Sequence, residues 1–173
     1  VQYLFHRTVQ LKAGDTILFH AAAGGVGLIA CQWARAIGVN MIGTVGSDEK
    51  AALAMANGCA HVINYNTEDF AARVLEITGG RKVSVVYDSI GKDTFTASLD
   101  CLQPLGMMVS FGSASGPVPP FSLNELASRG SLFITRPTLF AYTAKRADLE
   151  AMAADLFAKI GSGQVQAGIK QKY

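Results

Sequence analysis

Disulfide staples, charge stripes and long apolar spans are all missing from this sequence. Its 173 residues hold only three cysteines, Cys31, Cys59 and Cys101, an odd number set far apart. None forms a CxxC pair or has a histidine at metal-ligand spacing, which argues against a disulfide framework and against a metal site, and leaves buried thiols as the expectation. Charged residues make up only 16% of the chain, the formal net charge is +2, and the basic residues are scattered. A nucleic-acid partner would ask for a basic face, so none is expected. No apolar run reaches the roughly 18 to 20 residues needed to cross a bilayer, and the first residues lack the basic, apolar, small order of a signal peptide. A cytoplasmic protein without a membrane partner is therefore expected. The chain starts at Val1, on the helix-like stretch VQYLFHRTVQL, and reads as a piece of something longer.

What is present is hydrophobic residue, 50% of the chain and enough for one folded domain with a sizeable core. Short β-branched or apolar runs alternate with longer segments of helical period, the pattern of a parallel sheet with crossover helices. The strand candidates are TILFH (16–20), NMIGTV (40–45), HVIN (61–64), VSVVYD (83–88), GMMVSF (106–111) and SLFITR (131–136). Six strands predict a doubly wound Rossmann sheet of the α/β class, with helices on both faces. Between the strands, Val26, Ile29, Ala30, Trp33 and Ile37 share one helical face, closed by Gly38. Ser47 or Asp48 caps a second helix to about Asn57, Thr67 a third to about Thr78, and a fourth fits 93–101. Short and long helices follow at 122–128 and 145–160, the last with Leu149, Met152, Ala153, Leu156 and Ile160 on one side. The Pro/Gly-rich stretch 112–120 is the one extended loop.

The stretch HAAAGGVGLIACQWARAIG (20–38) crowds small residues between the first strand and the first helix. Ala22, Gly24 and Gly27 have the GxGxxG spacing with alanine in the first place. In that arrangement the first residue makes the tight turn, the second lets backbone meet a diphosphate, and the third lets helix pack on strand. Alanine serves first only with a negative φ. The anion would rest on free N–H groups at the start of the helix near Gly25. The end of the second strand, TVGSDEK, then decides which dinucleotide is held. An acid there would grip the ribose hydroxyls of NAD, but Gly46 and Ser47 occupy its place and Lys50 follows in the next helix. A lysine favours the extra phosphate of NADPH. Asp48 and Glu49 lie one residue away from contradicting this, and are read as helix-capping acids.

Taken together, HAAAGGVGLIACQWARAIG, IGTVGSDEK, VINYNTEDF, VVYDSIGKDTF, SLDCLQPLGMMVSFGSASG and TRPTLFAY give a sequence that resembles the NADPH-dependent quinone oxidoreductases, the zinc-free, zeta-crystallin-like branch of the medium-chain dehydrogenases. The resemblance covers essentially the whole chain, but only the cofactor-binding half of such an enzyme. It implies an NADP(H)-binding Rossmann domain over 1–173, with the GroES-like substrate domain absent from this chain. It places Gly24, Gly25 and Val26 at the diphosphate, Gly46, Ser47, Lys50 and Tyr65 at the adenosine 2′-phosphate, and Tyr3 on the nicotinamide side. Ser89, then Phe111, Gly112 and Ser113, then Pro137, Thr138 and Leu139 match its remaining cofactor contacts. It implies no metal, a quinone or similar electrophile as substrate, and a homodimer paired through the last strand, 131–136, with Arg136 an interface candidate.

The residues allow plainer readings as well. Tyr65 could cap a strand, Tyr3 could be core or surface, and Ser89 and Gly112 could be turn residues. His20 invites reading as a base, yet it reads better as a polar residue closing a buried strand. No catalytic side chain is assigned, since such a reductase supplies position and a dry pocket rather than a nucleophile. A short-chain dehydrogenase would need Tyr-x-x-x-Lys, and Tyr142 has its lysine at the third position. A methyltransferase would want the acid that the second strand lacks. A zinc alcohol dehydrogenase would carry its ligands largely outside this segment. Reduction of alkenal or enoyl double bonds and a non-catalytic NADPH-binding role are the alternatives.

Overall fold

Tertiary burial turns the alternation of apolar runs into a single parallel sheet. In the computed structural model, which describes residues 1–168, the strands are β1 (Thr16–Phe19), β2 (Asn40–Val45), β3 (His61–Asn64), β4 (Val83–Asp88), β5 (Leu102–Ser110) and β6 (Phe133–Thr135). Their order is β3-β2-β1-β4-β5-β6, every pair parallel. The chain therefore winds outward from β1 to one side and then to the other, which opens a crevice at the carboxyl ends of β1 and β4.

Successive strand residues face opposite ways, so each strand feeds two cores. Ile17, Phe19, Met41, Val45, Val85, Tyr87 and Val109 lie on one face with Ala30, Trp33 and Ala34 of α1 (Gly25–Ala36) and Ala54 of α2 (Asp48–Ala56). Leu18, Ile42, Ile63, Val86 and Met108 lie on the other with Val74 of α3 (Phe70–Ile77) and Phe95 and Leu99 of α4 (Phe95–Asp100). Helices on both faces follow, as the sequence predicts. All three cysteines are buried free thiols.

Several boundaries move for local reasons. α3 starts at Phe70, because Thr67 spends both its N–H and its hydroxyl on the Asn64 carbonyl and Asp69 caps instead, accepting from Ala71 N and Ala72 N. β5 begins four residues before its expected start, with Leu105 at φ 62° in an irregular stretch of its pairing with β4. β6 keeps only three residues; Ser131, expected within it, sits at φ 58°, outside the extended region. The opening stretch is wound more widely than an α-helix over Leu4–Thr8, with Val9 N donating to the Leu4 carbonyl, and the Tyr87 hydroxyl pins that same carbonyl at 3.0 Å. Short helices α5 (Asn124–Ser128) and α6 (Leu139–Tyr142) precede the long α7 (Arg146–Gly161). Of the apolar side expected on α7, Met152 alone is buried, while Leu149 and Ile160 are exposed.

Candidate nucleotide-binding site

The turn after β1 is built by close contact between backbones. His20 closes the strand and Ala21 takes φ 56°, so the left-handed residue is Ala21 and the alanine in the first motif place, Ala22, is not left-handed. Nothing in the sequence marks Ala21 for this, since alanine is an uncommon choice there. Gly24 is extended and forms the N-cap of α1 without any side-chain cap. A Cβ on Gly27 would stand 2.3 Å from the Ala21 carbonyl oxygen and 2.5 Å from that of Ala22, so the third motif glycine is required by packing. A Cβ on Gly25 would meet nothing within 4 Å. The N–H groups of Gly25, Val26 and Gly27 lie in the first helical turn and have no intrahelical carbonyl to reach. With Gly25 and Val26 exposed, the helix presents bare donors and the positive end of its dipole to the crevice. Val26, expected on the buried face of α1, is instead half exposed at the mouth of this turn.

A hollow of about 170 Å³ adjoins the turn, lined by Ala21, Ala23, Gly24, Val45, Gly46, Lys50, Tyr65 and Ile90. Gly46 is where it is because a Cβ there would fall 2.6 Å from the Tyr65 hydroxyl, so the absent side chain leaves room for the tyrosine. Asn66 Nδ2 donates to the Gly46 carbonyl at 2.8 Å and fixes the loop. Ser47 caps α2, its hydroxyl accepting from Lys50 N at 3.3 Å. Lys50 is the one charged side chain lining the hollow and makes no ion pair among the described residues.

The other expected contact residues gather along the same edge. Phe111 packs its ring 5.5 Å from that of Phe19, and Gly112 lies against Ser89, whose carbonyl accepts from Ala114 N. Gly112 and Ser113 line a second hollow of about 270 Å³ with Ser110, Ile134, Thr135 and Arg136, whose Nη1 donates to the Ser110 carbonyl at 2.9 Å. A third, of about 410 Å³ and mostly apolar, takes in Tyr3, Gly25, Val26, Trp33 and Leu139. Tyr3 stacks obliquely on Tyr142 at 5.0 Å, and burial pushes its hydroxyl pKa upward. Pro137 and Thr138 link β6 to α6, Thr138 as its N-cap. A larger hollow, about 540 Å³, lies at the opposite ends of the strands beside Asp15, Thr16, Asn40 and Ser84. Size alone therefore does not single out a site.

His20 is not a base. Its Nδ1 lies 2.9 Å from Thr44 Oγ1 and its Nε2 2.8 Å from Ser98 Oγ, in a fully buried position against the Phe70 ring. Burial pulls its pKa to about 4, with Asp88 opposing weakly, so it is a neutral tie between β1, β2 and α4. Asp88 is buried as well; it accepts from Ile90 N, Gly91 N and the Thr94 hydroxyl and shapes the loop beyond β4.

The profile of a known family, described as zinc-binding dehydrogenase, matches residues 25–159. The chain belongs to the zinc-binding dehydrogenase family. This family member is 55% identical over 172 residues to a quinone oxidoreductase of Pseudomonas aeruginosa, covering 99% of this chain and 53% of that protein. It is 50% identical to a 2-haloacrylate reductase of a Burkholderia species, over 99% of this chain and 52% of the relative. Its fold superposes with a TM-score of 0.95 on the crystal structure of Escherichia coli quinone oxidoreductase complexed with NADPH, at 51% identity, over 96% of this chain and 51% of that one. This zinc-binding dehydrogenase chain thus spans about half the length of these three relatives. Despite the family's name, no group of three or more His, Cys, Asp or Glu among the described residues could hold a metal ion. No described helix is long and apolar enough to cross a membrane.

Proposed function

We propose that this chain is the NADP(H)-binding domain of a cytoplasmic, NADPH-dependent quinone reductase, with the substrate-covering domain lying outside it. The observation that carries the reading is the pairing of bare helix donors at Gly25 and Val26 with a neighbouring hollow whose one charge is Lys50. The cradle fits a diphosphate because Gly24 and Gly25 leave backbone exposed where a side chain would intrude, and it fits a 2′-phosphate because Lys50 and the Tyr65 hydroxyl face one space. The likeness to a quinone oxidoreductase complexed with NADPH supports both.

When bound, the nicotinamide supplies a hydride to an electrophilic acceptor lying against it. The chain's own part is to hold and orient. Gly24, Gly25 and Val26 carry the diphosphate; Gly46, Ser47, Lys50 and Tyr65 carry the adenosine phosphate. Ser89, Phe111, Gly112, Ser113, Pro137, Thr138 and Leu139 line the edge along which the nicotinamide half would extend, and Tyr3 shares an apolar hollow with Leu139 beside Gly25 and Val26. No side chain is assigned to acid, base or nucleophile. The exposed edge of β6, with β5 on one side only, suits pairing with a second copy through residues 131–136. The 50% identity to a 2-haloacrylate reductase keeps reduction of an activated carbon–carbon double bond as the second reading.

Titration with NADPH and NADH, followed through Trp33 fluorescence, tests the reading. A lysine about 4 Å from a phosphate gains around 4 kcal/mol at an effective dielectric of 20 before desolvation, and about 1 kcal/mol once solvent exposure is counted. Preference for NADPH should largely vanish in Lys50→Ala. Equal affinities in the unmodified protein would refute the placing of the phosphate. Parallel assays with quinone and 2-haloacrylate substrates separate the two readings.

A further inference from the structure

A carboxylate just past the end of β2 is the group that pairs with ribose hydroxyls and repels a 2′-phosphate. This chain carries one there: Asp48, the first residue of α2 and exposed to solvent. Its carboxylate is tied to β3. Asn64, the buried last residue of β3, donates from Nδ2 to Asp48 Oδ1 at 2.8 Å. The orientation of that amide is set by its partners, since its Oδ1 accepts from Asn66 N at 3.2 Å and only the NH₂ can then face the carboxylate. The same residue's backbone N–H donates to Glu68 Oε1 at 3.1 Å, and Glu68 is paired in turn with Arg73 at 2.8 Å. Asp48 is thus held by the Asn64 side chain, and Glu68 by its backbone N–H and by Arg73. Neither Asp48 nor its neighbour Glu49 lines the hollow, while Lys50 does.

We propose that Asn64 is a specificity-determining residue: by holding the Asp48 carboxylate on β3, it keeps the hollow of Gly46, Lys50 and Tyr65 cationic and so selects a nucleotide bearing a 2′-phosphate over one with a bare ribose. The inference rests on the reading that NADP(H) binds there. Asn64 itself touches no part of the nucleotide in this account; it acts through Asp48. In the sequence Asp48 reads as a helix-capping acid, and nothing there marks Asn64, sixteen positions away on a neighbouring strand, as the residue that holds its carboxylate.

Calorimetric titration with NADP⁺ and NAD⁺ tests this on four proteins: unmodified, Asn64→Ala, Asp48→Asn and the double variant. Release of one like charge beside the phosphate should weaken NADP⁺ binding about three- to tenfold in Asn64→Ala while NAD⁺ binding holds or tightens. With Asp48→Asn in place the same change at Asn64 should leave the NADP⁺/NAD⁺ ratio within about twofold. A tie that serves structure alone would lower the melting temperature and weaken both nucleotides together, with no rescue by Asp48→Asn; that result overturns the proposal. If Asn64→Ala does not fold, Asn64→Asp keeps the shape and the acceptor for Asn66 N while losing the donor, and the swapped pair Asp48→Asn/Asn64→Asp should restore selectivity. Lys50→Ala, run alongside, distinguishes the two levels. An unchanged ratio there removes the phosphate site itself, whereas a collapsed ratio there with an unchanged ratio in Asn64→Ala removes the Asn64 assignment only.

Discussion

Gly27 is hemmed in by backbone where Gly25 faces open space, and replacing each by alanine separates packing from binding. In Gly27→Ala the new Cβ would meet the Ala21 and Ala22 carbonyl oxygens at 2.3 and 2.5 Å. Both are backbone atoms of a turn already holding Ala21 at φ 56°, so the turn must move by several tenths of an ångström or α1 must lift off the sheet. Overpacking of this kind costs about 1 to 3 kcal/mol per site and more against backbone, and the better helix propensity of alanine returns about 1. A net loss of about 3 kcal/mol is expected, or roughly 6 to 12 °C in Tm for a chain of this size. Gly25→Ala meets nothing within 4 Å, so its stability should hold or rise by up to about 1 kcal/mol. Its methyl group would nevertheless stand where the diphosphate approaches the backbone, and NADPH affinity should fall about tenfold or more. Thermal unfolding and NADPH titration of the two variants read both quantities. A Gly27→Ala protein melting within 2 °C of the unmodified one, roughly the effect of about 1 kcal/mol, would refute the close-packed turn. A Gly25→Ala protein with full NADPH affinity would refute the diphosphate cradle.

Other expectations follow from the same contacts. Burial holds the His20 pKa near 4, below its ordinary 6.5, so its contribution is complete above pH 6.5 and is lost as pH falls toward 4. Denaturant titrations should show roughly 2 to 3 kcal/mol of this loss by about pH 4.5, and the loss should be missing in His20→Gln; an identical acid slope in that variant would sink the assignment. Trp33 Nε1 donates to His6 Nε2 at 2.9 Å, which requires neutral His6, and burial keeps the His6 pKa below 6.5. Tryptophan emission should therefore shift as the pH drops below that value, and stay level in His6→Gln. Phe133 and Ile134 lie exposed on the edge strand, so Phe133→Glu/Ile134→Lys should convert a dimer to monomers in sedimentation; a monomeric unmodified protein would remove the strand-pairing reading.

Whatever depends on neighbours in sequence could be read from it. Four of the strands, the first helix and the glycine turn follow from runs and spacings a few residues long, and β2, β3 and β4 have their expected bounds. The errors fall where distant contacts decide. β5 extends back to Leu102 because Leu102 pairs with Val83, and Thr67 fails to cap α3 because the Asn64 carbonyl claims it. The exposed flank of α7 could not be foreseen, because periodicity gives a face but not what covers it. Among site residues, Gly46 and Tyr65 could be named singly, but that one makes room for the other could not. Ala21, Ile90 and Asn64 carry no signal of type or spacing.

The difference has a physical root in how the candidate site divides its labour. On the proposed reading, holding a diphosphate would fall to main-chain amides, whose exposure is written as missing side chains within six consecutive residues, 22–27. Choosing between nucleotides would fall to side chains carried on α2 and β3, whose balance depends on which carboxylates are already satisfied: Asp48 by Asn64, Glu68 by Arg73 and by the Asn64 N–H. Substitutions at the turn should then change affinity for both nucleotides alike, because both present the same diphosphate. Substitutions at Lys50 or Asn64 should change their ratio with little effect on the weaker ligand, because only the 2′-phosphate feels that charge. Affinity and selectivity would separate along the boundary between backbone and side chain, and a variant of the turn that altered the ratio as strongly as Lys50→Ala would show that no such boundary exists.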